Sequence, residues 1–337
     1  MDTPGTRRRW AGGPAQGISA ALLAAVVLGL APIFGKQAIL AGTPPLSVVA
    51  LRTVAAAAGL WLFFGLARRK YLYIYPVGLL GCLAAGTING LGSLMYYSGL
   101  GRLDASLAQL LYTLYPIVLT LFARLQGHTI SGLTLFRMAL ALAAVFLLTH
   151  QGGGAADWLG AALMLGAGFM YAAHLVVSQR VLYDVPAPTV ALYNLTAMAV
   201  TVSVGYWLAG APALPPTTGA WQAVALLTLV TVISRLSLFM GVKRLGGVQA
   251  ALIGLSELLV TVLCALVLLG ESLTPVQWLG AALLAASVLL VARERQLAPP
   301  PARPWAALLK LNAAEQAELA KLREMGDAGD AQDSPGH

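Results

Sequence analysis

The stretch that decides the fold runs from Gly241-Val242-Lys243-Arg244-Leu245 through Ala250-Ala251-Leu252-Ile253 and Ser256-Glu257-Leu258 to Leu269-Gly270-Glu271-Ser272-Leu273-Thr274. It is the second copy of a pattern. Gly99-Leu100-Gly101-Arg102-Leu103 aligns with Gly241 to Leu245 at an offset of 142 residues, and Ala108 to Pro116 overlies Ala250 to Leu258. After a one-residue gap, Gly127-His128-Thr129-Ile130-Ser131 overlies Gly270 to Thr274, and apolar segments follow both. Helices rich in Leu, Ala and Gly match one another cheaply. Here the polar and loop positions fall into register as well, which favours an internal duplication.

Outward from this repeat the chain is apolar almost throughout. Of its 337 residues 58% are hydrophobic and 10% charged, and the mean hydropathy is +0.78. Soluble domains carry about 25% charged residues, so composition excludes an ordinary globular protein. The apolar character continues in blocks of roughly 20 residues as far as Val291, each able to cross a hydrocarbon core of about 30 Å. A cleaved signal peptide followed by a soluble enzyme is therefore excluded. The pattern predicts ten spans, at 17–40, 44–66, 74–99, 103–124, 130–149, 158–180, 186–209, 219–242, 246–269 and 274–292. Breakers separate them at Gly42 to Pro45, Gly152 to Gly154, Pro186 and Pro188, Pro212 to Pro216, and Gly246-Gly247.

The net charge of +8 does not point to nucleic acid. Residues 1–292 hold 15 Lys and Arg against 6 Asp and Glu, whereas 293–337 hold 6 against 7. The excess belongs to short loops, where membrane topology is encoded. Placing the N-terminus inside gathers Arg7, Arg8, Arg9, Arg68, Arg69, Lys70, Arg124, Arg180, Lys243, Arg244, Arg293 and Arg295 on the inner side and leaves Arg102 alone outside. This predicts a multi-pass protein of the cell (inner or plasma) membrane with both termini cytoplasmic. The two cysteines, Cys82 and Cys264, both fall inside apolar blocks and say nothing about redox compartment.

Each repeat holds five spans. Five is odd, so the second copy enters the membrane upside down relative to the first. The expected fold is all-α and integral to the membrane, with ten transmembrane helices as two inverted five-helix repeats. The expected organisation is a cytoplasmic N-terminus at 1–16, a first repeat at 17–149, a second at 158–292 and a cytoplasmic tail at 293–337. Inverted repeats place a substrate site near the midplane between the halves and suit alternating access.

At this point the residues resemble the drug/metabolite transporter superfamily in its EamA-type branch. The second repeat carries Ala250 to Ile253, Ser256-Glu257-Leu258 and Leu269 to Thr274, followed by the helix opening Trp278-Leu279-Gly280-Ala281. Family members usually show a Pro in the middle of this helix and a Gly-Glu at its end. Gly270-Glu271 is present here, while the Pro position is Leu258. The first repeat keeps the Pro as Pro116, after Tyr115, and has His128 at the Glu position. Arg52, after Leu51 in the second span, also looks like the family pattern. The resemblance covers about 17–292 and implies ten helices and transport of small metabolites, with many substrate classes open.

Ionisable side chains inside hydrocarbon call for a partner or a pathway. The chain has five: Lys36, Arg52, Arg137, Arg235 and Glu257. Glu257 falls near the centre of its span, where it either meets a cation or is carried protonated. Its functional reading is a proton-coupling or substrate-amine site, against a structural ion pair. Arg235, one span earlier and on a stripe with Thr228 and Thr231, is the expected partner of Glu257. Arg52 lies about as deep, and its repeat counterpart is Asn194. Lys36 is close enough to a boundary to snorkel. Polar arcs surround these positions: Asn89, Ser93 and Tyr96 in span 3; Gln109, Tyr112, Tyr115 and Pro116 in span 4; Tyr171, His174 and Ser178 in span 6. Such arcs face a cavity or another helix rather than lipid. Tyr115 gains weight because it holds the repeat position of Glu257. Gly86 and Gly90 form a GxxxG pair suited to close packing within the monomer, and Pro32 and Pro116 are expected to bend their helices.

Enzyme motifs are missing. There is no HExxH and no GxSxG, Gly35-Lys36 is followed by Gln37 where a phosphate loop needs a hydroxyl, and no cluster has metal-ligand spacing. No cofactor is expected, and with no ATPase module the energy must come from a gradient. Rings of pore charges are not visible, which disfavours a channel. After Arg295, Pro299-Pro300-Pro301 leads to a short helix at Ala313 to Met325, capped by Asn312 and Glu315, and then an acidic disordered end. Four intramembrane cations against one acid favour a solute with an anionic group, and Glu257 suits an amine. The reading is a proton-coupled exporter of an amino-acid-like or zwitterionic metabolite. The alternative is a facilitated exchanger of organic anions or phosphorylated metabolites, in which Glu257 only neutralises Arg235. Monomer and homodimer both stay open.

Overall fold

The computed structural model describes residues 14–125, 157–254, 256–270 and 274–290, with scattered helical positions between 132 and 144. Most of the fifth expected span, including Arg137, lies outside the described residues, as do the first cations, His128 and the whole tail.

Every regular element among the described residues is helical. In chain order these are α1 (Pro14–Gly29), α2 (Ala31–Leu40), α3 (Pro45–Ala67), α4 (Pro76–Leu100), α5 (Ala105–Tyr112), α6 (Tyr115–Leu125), α7 (Trp158–Leu182), α8 (Ala187–Leu208), α9 (Thr218–Leu245), α10 (Gly247–Gly254), α11 (Ser256–Cys264) and α12 (Pro275–Leu289). Among the described residues, seven stretches are long and apolar enough to cross a membrane: 16–40, α3, α4, 105–122, α7, α8 and α9. The segment 256–269 is a shorter apolar helix whose last five residues widen into a π turn.

Local chemistry sets the boundaries. Proline stands in the first turn of α2, α3, α4 and α8, where its missing N–H costs nothing. Asp157 caps α7 by accepting the Gly160 N–H at 2.8 Å, and Thr217 does the same for α9 through Ala220. Gly246, at φ 85°, turns the chain from α9 into α10 in a conformation a side chain would resist. The expected bends are present. A turn at Leu30 divides the first span just before Pro32, and Thr113 and Leu114 interrupt the fourth just before Pro116.

Two helices organise the bundle. The third span, α4, packs on α7 and α8, while α9 packs on α1, α2 and α3. Gly86 and Gly90 let α8 approach closely, with Gly86 against the Asn194 carbonyl and Ala197 and Gly90 against Thr201. The GxxxG pair thus serves packing within the chain. Gly92 abuts Met170 and Gly99 abuts Gly160, so α4 and α7 are antiparallel. Gly17 abuts Arg244 and Gly241 abuts Ala21, so α1 and α9 are antiparallel as well. Gly35 meets Tyr97 and Lys36 bonds to the Leu100 carbonyl, so the first span runs parallel to α4. It follows that α4 and α9 point in opposite directions.

The charged loops sort by end. Arg244 bonds to Gln16, Gly247 abuts Gln179 next to Arg180, and Thr189 and Tyr193 bond to the Tyr71 and Leu72 carbonyls beside Arg68 to Lys70. Arg102 sits at the opposite end, paired with Asp157 at 3.1 Å. There Lys36 Nζ also donates to the Leu100 and Leu103 carbonyls, at 3.1 and 2.7 Å, which places its charge at the C-terminal end of α4. The periphery is apolar. Leu62, Phe63, Leu66, Val200, Trp207 and Leu229 are all exposed, as a bilayer as solvent requires.

Candidate substrate cavity

Between α4 and α9 lies a partly open cavity of about 60 Å³, lined from both repeats. Arg52, Asn89, Ser93, Tyr96 and Tyr97 contribute from α3 and α4; Gln109 and Tyr112 come from α5. The second repeat supplies Tyr171, Arg235 and Glu257, and Pro32 and Leu28 close one wall at the bend of the first span. This is room for a few waters or the head group of a small solute.

The carboxyl end of the cavity is a relay. Tyr96 donates its hydroxyl to Gln109 Oε1 at 3.0 Å, and Gln109 Nε2 donates to Glu257 Oε1 at 2.9 Å. Both ends of the Gln109 amide are used, which fixes its orientation. Thr261 holds the turn carrying Glu257 by donating to the carbonyls of Gly29 and Glu257.

At the cationic end, Arg52 Nη1 donates to Thr231 Oγ1 at 3.0 Å and Nη2 to Ser93 Oγ at 3.4 Å, and the guanidinium stacks over the Tyr97 ring at 4.7 Å. Arg235 is held more loosely. Its Nη2 donates to Asn89 Oδ1 at 3.5 Å, and its guanidinium lies 5.9 Å from the centre of the Tyr171 ring. Among the described residues, Arg52 Nε and Arg235 Nη1 are buried with no hydrogen-bond partner.

The expected ion pair between Arg235 and Glu257 is not formed. The reason is the path of the chain: α11 packs chiefly on α1 and α5, while α9 adjoins the preceding α10. Gln109 therefore reaches the carboxyl first, although both charged groups line one cavity. Of the ten site residues read from sequence, Glu257, Arg235, Arg52, Tyr112, Gln109, Asn89 and Tyr96 meet at the cavity, and three do not. Tyr115 is buried behind it, packed on Tyr171 at 4.8 Å between ring centres, and its hydroxyl donates to the Ala251 carbonyl. His174 and Asn194 form a separate cluster with Ser178, in which Nδ1 of His174 lies 3.1 Å from Ser178 Oγ. The sequence reading missed Tyr97. It lies eight residues after Asn89 and four after Ser93, so the arc already recognised on α4 contained the signal.

These observations define a polar chamber inside an apolar bundle, built across two copies of one helical unit. The EamA-like transporter family model matches residues 15–150 and again 158–293. The chain belongs to the EamA-like transporter family. This bears out the resemblance to the drug/metabolite transporter superfamily and makes the protein a multi-pass membrane transporter, which binds a small-molecule substrate and lipid. The chain is 24% identical over 271 residues to the "Uncharacterized transporter YcbK" of Bacillus subtilis (strain 168), covering 77% of this EamA-like chain and 87% of that protein. A solved structure described as "Crystal structure of protein" is similar in fold, with a TM-score of 0.56 at 22% identity, over 80% of this chain and 96% of that one.

Proposed function

We propose that the protein is a proton-coupled secondary transporter of a small amino-acid-like or zwitterionic metabolite, with ten helices in two inverted repeats and alternating access to the cavity. The observation that carries this reading is the composition of that cavity. A buried carboxyl bonded to a neutral amide shares it with two buried guanidiniums, and no ion pair joins them among the described residues. An unpaired carboxyl inside a bilayer holds either a proton or a ligand amine. Guanidiniums without counter-ions call for an anionic group.

The frame supports alternating access. Asn89 and Thr231 are 142 residues apart, as are Ser93 and Arg235. Arg52 bonds to Ser93 on one repeat and Thr231 on the other, and Arg235 reaches back to Asn89. A solute that takes these donors alters the bonds joining the two halves, which is the differential contact a conformational change requires. The opposed directions of α4 and α9 suit the inverted relationship. The end carrying Arg68, Arg180 and Arg244 is the cytoplasmic one in this reading, both termini lie there, and export across the inner membrane is the working direction.

The test is uptake and counterflow in proteoliposomes at several pH values. Glu257→Gln is expected to abolish the pH dependence of transport. Normal transport with unchanged pH dependence in that variant would end the coupling role of Glu257. A second reading, exchange of organic anions or phosphorylated metabolites, is favoured by the two guanidiniums against one carboxyl. It predicts anion exchange that survives Glu257→Gln.

A further inference from the structure

We infer that Arg52 and Arg235 together form one anion subsite for a carboxylate in the cavity they share with Glu257. This deepens the transporter reading and rests on it. Both side chains are more than nine-tenths buried, at 6% and 7% exposed, and both line the cavity. Each has spent part of its guanidinium on neutral oxygens, Arg52 on Thr231 and Ser93 and Arg235 on Asn89. Each keeps one buried nitrogen with no hydrogen-bond partner among the described residues, Nε of Arg52 and Nη1 of Arg235. Buried cationic donors left unmade are costly, and both arginines line one small chamber, so a single anion entering it can answer both guanidiniums.

The donor set favours a carboxylate over a phosphate. Two separate N–H groups, one from each arginine, match the two oxygens of a carboxylate. A dianionic phosphate would demand more donors and would share the chamber with the Glu257 carboxyl. The aromatic supports fix the geometry. Tyr97 lies under Arg52 and Tyr171 beside Arg235, so the cations are held against ring faces rather than against acids. The subsite and the Gln109–Glu257 relay then address different groups of one solute, an anionic one and a hydrogen-bonding or amine one, which orients it.

The experiment measures binding, apart from transport, on the detergent-purified full chain. Probes are acetate, benzoate, benzamide, butylamine and inorganic phosphate, titrated by thermal shift into wild type, Arg52→Lys, Arg235→Lys, Arg235→Gln and Glu257→Gln. The ligand-free melting temperature of each variant reports whether it folds. Carboxylates are expected to stabilise wild type while benzamide does not, and either Lys variant should weaken their binding by roughly tenfold. Glu257→Gln should bind them about as tightly as wild type, because it leaves both arginines in place. Equal stabilisation by benzamide, or carboxylate binding unchanged in folded arginine variants, would overturn the subsite. Arginine-dependent binding of phosphate without carboxylates would overturn the assigned class. Loss of coupling in Glu257→Gln flux is a separate result, so the subsite and the proton-coupling reading can fail independently.

Discussion

Glu257 takes its side-chain hydrogen bond from Gln109, across from the other repeat, and Tyr115 makes the mirror contact. Tyr115 and Glu257 are 142 residues apart, and so are Gln109 and Ala251, the groups they reach. One repeat thus uses an acid to reach an amide side chain, and the other a phenol to reach a backbone carbonyl. Duplication left the geometry and let the chemistry diverge, so that one of two equivalent contacts faces the cavity and the other seals behind it.

The Gln109–Glu257 bond is measurable as a coupling energy. In a double-mutant cycle of Gln109→Ala and Glu257→Gln, read by unfolding in mixed micelles, the interaction should be about 0.6 to 1.7 kcal/mol. It is held to that range because groups unfolded within a bilayer find other partners. Additive effects within error would show that the two side chains do not depend on one another.

Stacking of Arg52 on Tyr97 separates ring from hydroxyl. Tyr97→Phe should keep the stability and the anion affinity of wild type, since the ring face is retained. Tyr97→Leu should lose about 0.5 to 2 kcal/mol of stability. Equal behaviour of the two variants in a melt would mean that the hydroxyl, or nothing at this position, matters.

Close approach of α4 and α8 gives a paired test. Gly86→Ala places a methyl group against the Asn194 carbonyl and Ala197, and should cost about 1 to 3 kcal/mol. Gly59→Ala, with nothing within 4 Å of the added carbon, should be neutral or slightly stabilising. Melting temperatures of the two variants decide it.

Asp157 supplies a pH dependence at the membrane surface. The Gly160 N–H it accepts, and then its bond to Arg102, hold its carboxyl below the ordinary value of 3.8. A depressed folded value means that the contribution is present above the unfolded value and lost as pH falls through the folded one. Wild type should therefore be more stable than Asp157→Asn at neutral pH, with the difference closing below about pH 4. A gap in melting temperature that persists at pH 2 would contradict this origin.

Much of this was legible in sequence because it depends on short-range regularities. Span length, breaker residues, the loop cations that collect at one end and the 142-residue repeat all follow from local pattern, and the family follows from them. Single residues were legible too where hydrocarbon makes a charge conspicuous: Glu257, Arg235 and Arg52 do meet at one cavity. Their partners were not. Neighbouring spans suggested Arg235 for Glu257, yet the bend before Pro116 and the path of α11 brought Gln109 there first.

Sequence by itself determined that the chain crosses a membrane repeatedly, that it is a duplicated unit, and which side chains are too costly to sit in lipid. Tertiary structure alone decided which of them share a chamber. It set Tyr115, His174 and Asn194 outside the cavity and Tyr97 within it. The physical reason is range. Hydropathy and periodicity act through solvent and backbone geometry along one helix, whereas hydrogen bonds act over about 3 Å between helices. Which of several polar groups comes within that distance depends on glycine contacts and proline bends summed over the whole bundle.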